Sequence, residues 1–418
     1  MMKALNAMKE WLLRLCKTCS CTEQKATEND TRQATMKDDS TTREDRMLRR
    51  LETFMLQEYE LRYNLLTEQP EFRTRGSQAA FQTVTKRMQN TFVLHAHARG
   101  IAAWDVDMGR LLNSCFLPDF HPMHHYMQHL PSWDGEDRVT PLAMRISSDP
   151  LWLEGFHTWL LGMAAQWEGR TLEAANSLAP ILISTQQGKR KSTFCRLLLP
   201  PQLSQYYTDY FDLTSKSNRE RRLANTALIN MDEFDRYPDT QMPLLKNVMQ
   251  MNASNFRKMR TERYVNLPRM ASFIGTSNRR DLLSDPSGSR RFLCWEVEAD
   301  IDCSPICHDQ LYAQLHHELE QGARTWLTPA QERQVEQHNQ AFHRYLPEEE
   351  AFMKLFRTPV GHEPTRPYTV SQIYQRLCQD MPRVMRGISC QKFNRALSHL
   401  GLKPRHTVSG NVYDLICL

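Results

Sequence analysis

The chain opens on apolar positions at helical spacing. Leu5, Met8, Trp11, Leu12 and Leu15, with Lys3, Lys9 and Arg14 between them, predict a short amphipathic helix within residues 1–21. Such a helix lays its apolar face on the protein, with a partner or a membrane surface as alternatives. The pattern then stops. Residues 22–46 hold Thr, Asp, Glu, Lys, Gln and Ser, with no aromatic and almost no aliphatic residue, and read as a disordered linker. Helical spacing returns at Met47, Leu48, Leu51, Phe54 and Met55. A small hairpin over 61–65 and 71–73 follows around Pro70, then helical pattern through Trp104, Leu111 and Leu112, and a further helix over 151–167. Residues 47–170 are therefore expected to form a helical accessory domain.

Beyond residue 170 the pattern changes to short apolar runs that end in polar groups. Residues 179–184 lead into the loop Thr185-Gln186-Gln187-Gly188-Lys189-Arg190-Lys191-Ser192-Thr193, and Phe194, Leu197 and Leu198 then predict a helix. Strand, polar loop with Lys-Ser, then helix is the context of a phosphate-binding loop. Backbone N–H groups at the helix start face the phosphates, and the helix dipole favours negative charge there. On this reading Gln187, Gly188, Lys189, Arg190, Lys191, Ser192 and Thr193 line a bound ATP. Lys191 neutralises the β- and γ-phosphates, and Ser192 ligates Mg²⁺. The loop departs from G-x-x-x-x-G-K-[ST] at Thr185 and Arg190, which stand where that pattern has glycine. A side chain at 190 limits positive φ and close backbone approach to phosphate. Taken alone, the loop reads equally well as a basic turn capping an ordinary helix.

Two further runs end in fitting chemistry. The mostly apolar 226–231 ends in Asp232-Glu233, with Asp232 suited to hold Mg²⁺ through water and Glu233 to orient and deprotonate an attacking water. Asp235, in the same loop, is an alternative acid, and an edge strand before a capped helix is the plain structural reading. The run 270–277 ends in Asn278, placed to hydrogen-bond a γ-phosphate or the water beside it. Residues 285–292 then present Arg290 and Arg291, which suit stabilisation of transition-state charge from a neighbouring subunit, or a surface salt bridge. Ligand sites in open α/β sheets lie at the carboxyl ends of strands, so residues 191, 232 and 278 are expected to converge on one polyphosphate. The expected fold class is α/β, with an ATPase core over 171–300.

Composition adjusts this picture only slightly. With 418 residues, 40% of them hydrophobic, there is material for more than one domain. A net charge of +5 is compatible with nucleic-acid binding without arguing for it. The eleven cysteines are scattered, the first apolar run is too short for a secretory signal, and no run approaches a membrane span. Reduced thiols and a cytoplasmic location are the expectation. His121, His125 and His129 recur every four residues with His124 beside them. Cys16, Cys19 and Cys21, and Cys303, Cys307 and His308, form looser groups. All are weak metal signals, outweighed by ordinary core or solvated roles.

The strings Gln187 to Phe194 with Leu198-Leu199-Pro200, Asp232-Glu233, residues 273–279 and residues 287–292, preceded by Pro131-Ser132-Trp133-Asp134-Gly135-Glu136-Asp137-Arg138, resemble the virulence-associated protein E family of P-loop ATPases found in phages and bacterial mobile elements. The resemblance runs over residues 122–297, and that family is similar in turn to superfamily 3 helicases and primase-associated helicases. It implies ATP hydrolysis by a homo-oligomeric ring, coupled to translocation on DNA during replication of a mobile element. The departures at Thr185 and Arg190 leave open a scaffold that binds nucleotide without turnover. The likeness also implies a hairpin before the third motif that reaches into the ring's pore. Arg257, Lys258 and Arg260 would track the phosphate backbone there, with Phe256 or Tyr264 stacking bases and Lys246 as a second contact. A solvated basic face is the alternative.

Residues 301–347 read as a helical connector. In 348–418, a helix over 351–356 precedes one capped by Thr369 with Ile373, Tyr374 and Leu377 apolar, and one capped by Ser389 with Phe393, Leu397 and Leu400 apolar. Strands at 403–408 and 411–415 then flank Ser409-Gly410 as a hairpin. The order predicts a winged-helix-like domain with Lys392, Arg395, His399 and Arg405 as candidate DNA contacts. The same architecture also serves protein contacts.

Overall fold

The computed structural model describes residues 42–170, 175–257, 264–283, 289–359, 363–407 and 410–418. The helix expected within 1–21 and the linker up to residue 41 lie outside the described residues. The chain divides into two compact units, Met1–Pro122 and Met123–Leu418.

In the first unit, helix α1 (Arg43–Glu58) starts four residues before the expected Met47. The reason is a capping box: the Thr42 hydroxyl accepts from the Asp45 N–H, and the Asp45 carboxylate accepts from the Thr42 N–H. Residues 42–46 thus begin the helix rather than end a linker. Strands β1 (Tyr59–Asn64) and β2 (Gln69–Thr74) form the expected hairpin, antiparallel from Tyr59↔Thr74 to Asn64↔Gln69. With β3 (Gln82–Thr83) and β4 (Asp119–Phe120) they make a sheet ordered β3-β2-β1-β4. Helices α2 (Lys86–Ala98) and α3 (Asp105–Leu112) complete a core around Phe54, Tyr59, Phe72 and Phe92.

The accessory domain expected over 47–170 is therefore corrected on two counts. It is mixed rather than helical, and it ends at Pro122. Helix α4 (Pro150–Trp167) belongs to the second unit, because it is apolar around most of its circumference and must be covered on several sides. Trp152, Phe156, Trp159 and Trp167 are fully buried. Gln166 and Asn176 both bond the Ser272 hydroxyl, tying the helix and the approach to the next strand to the sheet.

That sheet has five strands in the order β11-β5-β10-β7-β6, all parallel. They are β5 (Ala179–Ile183), β6 (Tyr207–Thr208), β7 (Leu228–Met231), β10 (Ser272–Ser277) and β11 (Phe292–Glu296). Every residue of β5, β7 and β10 is buried, which is the pattern of strands covered on both faces. Helix α5 (Lys191–Leu197) leaves β5, and α6 (Lys216–Asn225) precedes β7. After α7 (Met242–Val248), strands β8 (Ala253–Arg257) and β9 (Tyr264–Pro268) pair as a separate antiparallel hairpin. Gly275 sits where no side chain fits: a Cβ there would lie 2.7 Å from Ile181 Cδ1 and 3.4 Å from the Met231 carbonyl oxygen.

Helices α8 (His308–Glu320) and α9 (Pro329–Asn339) form the connector. The Trp133 to Arg138 loop folds on itself, with Arg138 bidentate to Asp134, and docks on α8 through Gln310 and Gln314. The C-terminal elements are α10 (Pro347–Leu355), β12 (Phe356–Arg357), β13 (Arg366–Thr369), α11 (Val370–Asp380), α12 (Cys390–His399), β14 (Arg405–Thr407) and β15 (Gly410–Cys417). Both expected caps are formed, Thr369 accepting from the Gln372 N–H and Ser389 from the Lys392 N–H. Strand β15 pairs with β12, β13 and β14, all antiparallel, over a core of Phe352, Ile373, Phe393 and Leu415. Among the described residues no helix is long and apolar enough to cross a membrane.

Candidate nucleotide-binding site

Strand β10 lies between β5 and β7, so its last residues reach both neighbours. Toward β5, the Lys191 ammonium donates to Asn278 Oδ1 at 3.0 Å and approaches the Ser184 carbonyl at 3.4 Å. Toward β7, the Thr276 hydroxyl bonds Asp232, and the Ser277 hydroxyl donates to Asp235 at 2.8 Å. Ser192, at the start of α5, donates to the same Asp232 oxygen at 3.2 Å and closes the ring. Residues 191, 232 and 278 thus converge at the carboxyl ends of three adjacent parallel strands. Chain direction reverses at this point: it leaves β5 toward the β6 edge and leaves β10 toward β11, and open α/β sheets bind ligands in such crevices.

The Lys191 side chain is buried, and burial pushes its ammonium below the usual lysine range against the pull of Asp232 and Asp235. Ser192 and Asp232 contribute two hard oxygens on one side of that cation. This donor set fits Mg²⁺, which takes few protein ligands and keeps waters and phosphate oxygens.

Arg190 corrects one expectation. It adopts φ 60°, in the left-handed region, immediately before α5. The loop therefore takes the conformation that glycine would supply, at a strain of roughly 1 kcal/mol or more. Gly188 is also left-handed, at φ 86°. The Lys189 ammonium pairs with Asp300 at 3.2 Å. Gln187 and Thr193 are exposed beside the loop. Glu233 also has a left-handed backbone, and its carboxylate is held by Arg236 at 2.6 Å. Arg290 pairs within its own chain with Glu332 at 2.8 Å, while Arg291 is half-buried, its guanidinium pushed down by burial and by Arg290.

Two contributors to the site, and one partly buried acid beside it, escaped the sequence reading. Thr276 and Ser277 orient the two acids, and the signal was the run of polar side chains closing an apolar strand. Asp209, just past β6, gathers Arg196, Tyr207 and Asn230. Burial would raise its carboxyl, but those three hydrogen bonds win and hold it below the usual range. Asn230, fully buried within an otherwise apolar strand, was the available hint.

Of the nucleic-acid candidates, Lys258 and Arg260 lie outside the described residues, and Arg257 ends β8 opposite Tyr264. Lys246 lies in the last turn of α7. Lys392 is paired with the buried Glu348 at 3.2 Å, and Arg405 with Asp414 at 2.8 Å, because each has a carboxylate within reach in its own domain. Arg395 is exposed.

Residues 127–344, more than half of the chain, match the virulence-associated protein E-like domain, and the chain belongs to that family. Residues 346–415 match a domain of unknown function described from B. Theta. No curated protein matches. Among solved structures the chain is similar to the apo structure of the NrS-1 C-terminal region (305–718), at 12% identity over 89% of this chain and 99% of that one, with a TM-score of 0.45. It is also similar to the A form apo structure of that region, at 11% identity over 88% and 99%, with a TM-score of 0.45.

Proposed function

We propose that this protein is an ATP-hydrolysing nucleic-acid motor, helicase-like, that works as a homo-oligomeric ring in replication of a phage or mobile element. The observation that carries this reading is the contact ring Lys191–Asn278 and Ser192–Asp232–Thr276 at the mouth of three parallel strands. Lys191 and Asn278 are bonded to each other. A triphosphate displaces that bond, Lys191 turns to the β- and γ-oxygens, and Asn278 is released to bond the γ-phosphate or the attacking water. Mg²⁺, held by Ser192 and Asp232, supplies charge neutralisation of the phosphates when bound. Glu233 acts as base once it leaves Arg236, and Arg290 reaches a neighbouring subunit once it leaves Glu332. Asp235, already fixed by Ser277, is the alternative base. The β8–β9 hairpin supplies the DNA track, and the C-terminal elements fit a winged-helix-like domain in which exposed Arg395 is a contact on α12.

Steady-state turnover with single-stranded DNA tests this. Stimulated hydrolysis is expected, falling at least about a hundredfold in Lys191→Ala. A second reading is favoured by one observation, the engagement of both Glu233 and Arg290 within the chain. In it the protein is a scaffold that binds nucleotide without turnover. ATP binding with no hydrolysis above the Lys191→Ala background establishes that reading and sinks the motor.

A further inference from the structure

A second site lies at the β6 edge of the same unit, away from the contact ring. Residues 218, 221, 222 and 225 share one face of α6, at helical spacing i, i+3, i+4 and i+7. Asn218, Arg221, Arg222 and Asn225 face Tyr210 and Asp212 across a depression of about 510 Å³. Tyr210 is 71% exposed, unusual for so large a ring. Its backbone is nonetheless pinned, the N–H donating to Thr208 Oγ1 at 3.2 Å and the carbonyl accepting from the same hydroxyl at 3.1 Å. The ring is therefore presented from a fixed base. Asp212 is committed to Thr214, through its N–H and hydroxyl at 2.8 and 2.6 Å.

The neighbouring arginines divide their work. Arg219 donates to the Leu213 carbonyl at 2.6 Å and holds the 209–214 loop against α6. Arg196 is taken by Asp209. Arg221 and Arg222 are exposed and, among the described residues, pair with no carboxylate. The depression thus offers a rigid aromatic face, two uncommitted guanidinium groups and two amides that can read a base edge.

We propose that this depression holds one unstacked nucleotide of a single-stranded nucleic acid, its base on Tyr210 and its flanking phosphates on Arg221 and Arg222. Stacking on an aromatic with phosphate neutralisation alongside is the chemistry of sequence-tolerant strand binding. Duplex bases are not available to stack in this way. An acidic peptide would use the arginines and leave the tyrosine and the amides unexplained. Helix α6 packs against β8, the strand that ends at Arg257, so if the hairpin tracks DNA as proposed above, this site would lengthen that path. It goes beyond the motor reading, because strand capture here requires no turnover.

The test is fluorescence anisotropy of labelled oligo(dT) with the full chain and no nucleotide present. That choice keeps loss of hydrolysis and loss of this site separable. Arg221→Ala with Arg222→Ala should weaken binding at least about tenfold and flatten its salt dependence by about one to two in log–log slope. Tyr210→Ala should weaken it about five- to tenfold, and Tyr210→Phe should stay within about twofold. Unchanged melting curves show that each variant is folded. On the unaltered chain, a strand carrying 5-bromodeoxyuridine should crosslink to Tyr210. Oligo(dT) affinity within about twofold in the double-arginine variant overturns the proposal. So does equal weakening by Phe and Ala at 210, crosslinking that spares Tyr210, or displacement by thymidine monophosphate or poly-glutamate as effective as by an unlabelled strand.

Discussion

The antiparallel sheet of the first unit and the parallel sheet of the second treat positive charge differently. In the antiparallel sheet of the first unit, Arg62 and Arg73 lie directly across the strand pair from Glu71 and Glu60. Each is partly exposed, bonded to its carboxylate, and laid over the Phe81 ring. In the second unit, just before β10 of the parallel sheet, Arg269 is fully buried and, among the described residues, bonds no carboxylate. It donates instead to the carbonyls of Ala271 at 2.6 Å, Met249 at 2.6 Å and Asn176 at 2.9 Å, with Phe273 beneath its guanidinium. Lys191 is buried at the other end of the β10 segment, facing Asp232 and Asp235. One sheet settles its cations cross-strand, where water shares the load. The other buries its cations, one at one end as a hub for three backbone carbonyls and one at the other bonded to Asn278 beside two acids.

Arg269→Ala is the strongest way to break this comparison. Three buried carbonyls would lose their donor at once, and burial alone already pushes this guanidinium down to about 9, a measure of how dry the site is. A loss of about 3–5 kcal/mol is expected in urea unfolding of the second-unit transition. Arg269→Lys should recover little of it, because one ammonium cannot reach three carbonyls in fork geometry. A loss below about 1 kcal/mol would mean that water reaches these carbonyls and that the hub is not dry.

Legibility followed the same division. The parallel core could be read because buried strands appear as continuous apolar runs, and because Lys191-Ser192, Asp232 and Asn278 each stand at the end of one. What could not be read was adjacency. That β10 lies between β5 and β7, and so lets Thr276 and Asn278 serve opposite neighbours, is a property of strand order and not of any local window. The early end of the first unit was missed for a similar reason: the helical spacing in 151–167 is as clear as in α1, and only packing decides which sheet it covers. The pairing of Lys189 with Asp300 and of Lys392 with Glu348 could not be read either, because these acids are remote in sequence and close in space. The capping box at Thr42 and Asp45, by contrast, was present in the sequence and was passed over in favour of composition.

Lys191 sharpens the comparison through pH. Its charged form is disfavoured by burial in the apo protein, and bound polyphosphate would favour it, so the pKa rises on binding. Affinity should then be full at neutral pH and fall as pH rises through the lowered apo value, in a window below the usual 10.5. Titration of a fluorescent ATP analogue from neutral pH upward should show affinity already falling below pH 10.5, and Lys191→Arg should abolish the slope while weakening binding overall. Affinity that stays level across this range would show that Lys191 does not bear on the phosphates.

The smallest effect is expected in the first unit. Arg73 donates twice to Glu60, at 2.8 and 2.6 Å, and holds that carboxyl below its usual range, yet both side chains are about one-third exposed. Arg73→Ala should therefore lower the melting temperature of the first-unit transition by only a few degrees, and by less in 1 M salt, where the Debye length shrinks to about 3 Å. Because the folded pKa of Glu60 is depressed, what the pair contributes is present above the ordinary carboxylate range and disappears as pH falls through it. Wild type and variant should thus converge in acid. A large, salt-insensitive drop on Arg73→Ala would place this arginine in the same class as Arg269, and the contrast between the two sheets would dissolve.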